Sequence, residues 1–128
     1  MAFKLRSEKR NIKSRENVSF TNKLVKENNN MGPGVVAQAN NDGSIDVDPS
    51  IDMESEFGKK VMKHELKHQE QMEEGRADYG DNWVMWEDKI YIRKEENGEP
   101  IIDGPNGKWP EGHPNHPWEA EAIQAETE

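Results

Sequence analysis

The chain has no cysteine among its 128 residues. That excludes a disulfide framework, a thiolate zinc site and a cysteine nucleophile, so any metal must be held by histidine and carboxylate. It has no long apolar run either, which predicts no transmembrane helix and no membrane partner. The first residues are basic but lack an apolar stretch and a small-residue cleavage site, so no secretory signal is expected. Hydrophobic residues are scarce, at 31% against 34% charged. Such a balance predicts a compact core with a disordered polar tail rather than a fully packed chain. The length suffices for one small domain and not for two.

What charge there is lies unevenly. Residues 1–28 carry eight Lys/Arg and three Glu, whereas the remainder carries nine basic and 23 acidic groups. The acidic body argues against nucleic-acid binding by the domain itself. The basic arm is either a solvated tail or a contact for nucleic acid or an acidic partner through residues 4–26. Residues 1–31 are therefore read as a largely disordered basic arm, with Val18 to Lys26 able to form a short helix. The Asn28-Asn29-Asn30 run and the Met31-Gly32-Pro33-Gly34 break mark the boundary. Residues 32–128 form the domain.

Val35 to Ala39 reads as a strand, Asn40-Asn41-Asp42-Gly43 as a turn, and Ser44 to Asp48 as a second strand with period-two alternation. The acidic run from Asp46 to Glu54 invites a calcium loop, but position six is not Gly and position twelve is Phe57 rather than Glu. Ser55 is an N-cap, Glu56 to Glu74 a helix, and Gly75 its stop. At about 100° per residue, Phe57, Val61, His64, His68 and Met72 share one stripe. Met62 and Leu66 lie nearly opposite, so the helix is expected to be central and packed on two sides. Trp83 to Trp86 and Lys89 to Arg93 read as short strands. Glu95 to Trp109 reads as a Gly/Pro/Asn-rich loop, Pro110 to Pro117 as a second loop, and Trp118 to Glu126 as a helix with Pro117 at its start. Trp83, Trp86, Trp109 and Trp118 are expected as core and loop anchors.

The chemistry sits in His64-Glu65-Leu66-Lys67-His68. Histidines four apart on a helix project from one face, so both imidazoles can bind one metal. Glu65 lies part-way round, where it reaches a metal-bound water rather than the metal. Zinc brings that water's pKa to about 7, and the Glu takes its proton as general base. Such a site needs a third protein ligand, with Glu119, Glu121, His113 and His116 as candidates. Glu119 and Glu121 are two apart on a helix and point in different directions. Ala120 and Ala122 permit close helix–helix approach. Oxyanion stabilisation calls for a Tyr, His or Arg, for which Tyr91, Arg93, His113 and His116 qualify.

An H-E-x-x-H motif followed on a later helix by E-x-x-A resembles the gluzincin branch of the zincin metallopeptidases. Residues 43–122 resemble small zincin-like proteins of tailed bacteriophages. The shared features are D-G-S-I-D-V-D-P, H-E-L-K-H-Q-E-Q-M-E-E-G-R, W-V-M-W-E-D-K-I-Y-I-R and H-P-W-E-A-E-A. The resemblance implies an α+β zincin-like domain with a central H-E-x-x-H helix, short β-hairpins and a C-terminal ligand helix. It implies one zinc per chain held by His64, His68 and Glu119, with Glu121 as fallback. The residue four after Glu119 is often Asp or Asn in zincins and supports a ligand; here it is Ile123. The implied activity is peptide hydrolysis with Glu65 as base. The alternative is a non-catalytic virion or assembly component. Either places the protein in an infected host's cytoplasm or in the virion, with peptide substrates or phage structural proteins as partners.

Overall fold

The computed structural model describes residues 18–20, 23–32, 34–105 and 107–128. It is a mixed α+β arrangement of two sheets and two helices. The first sheet contains β1 (Val18–Phe20), β2 (Lys23–Glu27), β3 (Ala37–Ala39) and β4 (Ser44–Val47), in the order β1-β2-β4-β3. β3 and β4 form the expected hairpin, with Ala37 opposite Val47 and Ala39 opposite Ile45. Gly43 at φ +93° completes its turn, a conformation with no steric cost for glycine.

Residues 18–20 and 23–27 are strands, not the helix expected over Val18 to Lys26. β2 runs parallel to β4, with Val25 opposite Ile45, and β1 folds back on β2. Pairing with β4 outweighs local helix propensity, and it buries Val25 among Ile45, Val47, Val61 and Met62. Asn28 continues the register, donating its backbone N–H to Val47 O and its side-chain amide to Asp46. The sheet therefore begins before the expected boundary at residue 31. The remainder of the basic arm, residues 1–17 and 21–22, lies outside the described residues.

Helix α1 (Glu56–Glu73) follows. Ser55 caps it, its hydroxyl accepting from the Gly58 N–H at 2.9 Å while donating to Asp52 O. Gly75 at φ +78° ends it and lets the Arg76 N–H reach back to Gln71 O. The helix is packed on two sides, as expected. Val61, Met62 and Leu66 meet the first sheet, and Met72 meets the cluster of the second. Phe57 departs from the expected stripe: it is half exposed, because the first turn abuts the Asp52–Met53 backbone through Gly58 instead.

The second sheet is an antiparallel meander of β5 (Ala77–Tyr79), β6 (Trp83–Trp86), β7 (Lys89–Glu96), β8 (Glu99–Gly104) and β9 (Gly107–Pro110). The segment expected as a loop from Glu95 to Trp109 is mostly strand. Asn97 and Gly98, both at positive φ, make a two-residue hairpin turn between β7 and β8. Its inner face carries Tyr79, Val84, Trp86, Tyr91 and Ile102, which close over Trp118 from α2 (Pro117–Ala125). Trp118 is fully buried, edge-on to Tyr91 and stacked flat on His116. Trp86 and Trp118 are thus core, while Trp83 and Trp109 are half-buried. No helix among the described residues is long and apolar enough to cross a membrane.

Candidate metal centre

Helix α2 runs antiparallel along α1. Trp118 O lies at Gln71, Glu119 between His64 and His68, and Glu126 at His64. Pro117 at the start of α2 fixes the first turn, and the fully buried Trp118 anchors it to the second sheet. This anchoring decides which carboxylate of α2 faces α1.

That carboxylate is Glu119. Its Oε1 lies 3.0 Å from His64 Nε2 and 3.3 Å from His68 Nε2. The three donor atoms fall within 4.8 Å of one another, and all three residues are buried. Two imidazole nitrogens and one carboxylate oxygen converging on a point form a donor set suited to a divalent metal. The outer ring nitrogens support the fit. His64 Nδ1 is 2.7 Å from Glu126 Oε2, and His68 Nδ1 is 2.9 Å from Gln71 Oε1. With those protons directed outward, both Nε2 atoms face Glu119 as donors to a metal.

Electrostatics agree. Burial disfavours a charged His64, yet the Glu119 hydrogen bond, the Glu65 and Glu119 charges and the Glu126 hydrogen bond outweigh it and raise its pKa to about 9. Burial would raise Glu119, but the two histidines hold its carboxyl well below the usual carboxylate range. Without metal, a proton on His64 therefore occupies the position of the cation.

Glu65 is fully buried, and among the described residues neither carboxylate oxygen meets a hydrogen-bond partner of good geometry. Burial is the main cause that pushes its pKa up to about 8, with His64 acting against it and Glu119 adding to it. The backbone of Ala39 on β3 lowers it. A buried carboxyl of raised pKa beside a metal-type donor set is a candidate for proton transfer near neutral pH.

The other expected residues are engaged elsewhere. Glu121 is held by Arg76, with Nη1 donating to Oε1 at 3.1 Å and Nη2 to Oε2. Burial of His116 lowers its pKa, and its Nε2 contacts the Trp109 and Pro110 carbonyls. His113 stacks on Trp109 and accepts the Asn115 N–H. Arg93 binds Glu111 and Asp81 O. The Tyr91 ring packs against Trp118. Conversely, the sequence reading overlooked Gln71 and Glu126. Both carried a signal: Gln71 is three residues after His68, and Glu126 is seven after Glu119, spacings that share a helix face.

Comparison of the chain with family models, curated proteins and solved structures found no match.

Proposed function

We propose that this chain is a zinc-dependent hydrolase of the metallopeptidase type, akin to the small zincin-like proteins of tailed bacteriophages. The observation that carries the reading is Glu65: a buried carboxyl with no well-formed hydrogen bond among the described residues, next in sequence to His64 of a converged His64–His68–Glu119 group. A purely structural site has no use for such a group. Zinc held there supplies a Lewis acid and a bound water acidic enough to act near neutral pH. His64, His68 and Glu119 hold the metal. Glu65 accepts the water's proton as the peptide carbonyl is attacked and returns it to the leaving amine.

A second reading has its own observation. His64, Glu65, His68 and Glu119 are each at most 1% exposed. A closed centre suits a metal that stabilises a non-catalytic virion or assembly component. In either case the proposed location is the infected host's cytoplasm or the virion, with peptide substrates or phage structural proteins as partners.

Glu65→Gln separates the two. It keeps the side-chain volume and removes the base. The peptidase reading expects retained zinc and fold, with hydrolysis of denatured protein or peptide libraries lower by at least about a hundredfold. Equal inertness of wild type and variant, with no binding of a hydroxamate, would contradict it and leave the structural reading.

A further inference from the structure

Each histidine of the converged group turns one nitrogen toward Glu119 and the other away. The outward nitrogen of His68 lies 2.9 Å from Gln71 Oε1. A glutamine amide can face either way, but here its far side decides. Gln71 Nε2 is 3.1 Å from Trp118 O and 3.2 Å from Glu121 Oε1. A carbonyl and a carboxylate only accept, so the amide NH₂ must face them. The amide oxygen therefore faces His68, and His68 Nδ1 must carry the proton. Glu121 is fixed by Arg76, which also binds Glu87 and stacks over Trp86. On the other side, Glu126 Oε2 accepts from His64 Nδ1 at 2.7 Å.

We propose that Gln71, backed by Glu121 and Arg76, and Glu126 are the positioning residues of the metal centre. They fix both imidazoles with Nδ1–H outward, so that both Nε2 atoms are aimed at the metal position before a metal arrives, His64 Nε2 giving up its proton to it. The inference rests on the metal reading above. It also accounts for Ile123, four residues after Glu119: that side chain is 39% exposed, and the supporting acceptor comes from Glu126 instead. The two holders are chemically unlike. A neutral amide serves His68, and a carboxylate, which makes its imidazole a stronger donor, serves His64.

The test uses the full chain and two readouts. The first is zinc affinity by competition with a chelator. Gln71→Leu and Glu126→Ala should each weaken it about 10–100-fold while the far-ultraviolet circular dichroism is unchanged. Glu126→Gln, whose amide oxygen still accepts, should recover most of the loss. Affinities equal to wild type in both Gln71→Leu and Glu126→Ala would overturn the proposal. So would equal losses in Glu126→Gln and Glu126→Ala. The second readout needs no metal: a protected imidazole Nδ1–H resonance of His68 in the metal-free protein, lost in Gln71→Leu. Its absence from wild type would overturn the assignment to Gln71. If wild type binds no zinc, the functional reading fails, and the resonance alone then decides whether Gln71 holds His68.

Discussion

Arg76 grips both carboxylate oxygens of Glu121, and that ion pair, with the Trp118 anchor, sets which acid of α2 faces His64 and His68. Glu121 is turned away from His64 and His68 and is linked to His68 through Gln71, whereas Glu119 lies between the two Nε2 atoms. Glu119→Ala should therefore lower zinc affinity by orders of magnitude. Glu121→Ala should lower it less than tenfold, because Gln71 still has the Trp118 carbonyl to hold its orientation. Chelator competition on both variants checks this, and a larger loss at Glu121 would contradict it.

The metal-free protein should lose stability as pH rises from about 6.5 to 9. His64 has its folded pKa raised to about 9 from 6.5, so the folded state holds the extra proton. Its contribution is complete below 6.5 and disappears as pH passes 9. Glu65, raised to about 8, acts with the same sign. Glu119, whose pKa is lowered, contributes above about pH 4.5 and loses that contribution on acidification. Denaturant unfolding in chelator at pH 6, 7.5 and 9 measures the first trend, and stability that rises over this range would contradict it. Zinc uptake at pH 7 should release a proton from His64, seen as buffer-dependent heat in calorimetry.

Removal of residues 1–30 deletes β1 and β2, exposes the edge of β4 and strips Asp46 of its Asn28 partner. The truncated chain should melt at least about 10 °C lower than the full chain, since one kcal/mol shifts a small domain by roughly 4–8 °C. An unchanged melting temperature would show that β2 adds nothing to the sheet.

Gly104 gives the second sheet its close fit to α2. A Cβ there would lie 2.0 Å from the Tyr91 ring, which is edge-on to Trp118. Gly104→Ala should cost about 1–3 kcal/mol in denaturant unfolding, the usual scale of overpacking. Zinc stoichiometry should stay unchanged, because the site residues lie on the helices.

Much of this was legible in the residues, and the misses have physical causes. The hairpin around Gly43 and helix α1 were readable because turn chemistry, cap and period agree locally. β2 was not, because a short apolar pair among lysines takes its conformation from β4, which lies about twenty residues later in the chain. β8 and β9 were hidden by Gly, Pro and Asn, though Asn97-Gly98 is itself a hairpin signal. At the site, His64, Glu65 and His68 follow from helix geometry alone. The choice of Glu119 over Glu121 depends on the rotation of α2, which Trp118 and Arg76 fix through contacts that spacing does not encode.

The most direct measurement is X-ray diffraction from zinc-grown crystals, with anomalous data collected on both sides of the zinc absorption edge. One edge-dependent peak per chain is expected, bounded by His64 Nε2, His68 Nε2 and Glu119, with metal–ligand distances of about 2.0–2.2 Å. A peak on other residues, or none with the three side chains still paired by a proton, would contradict it.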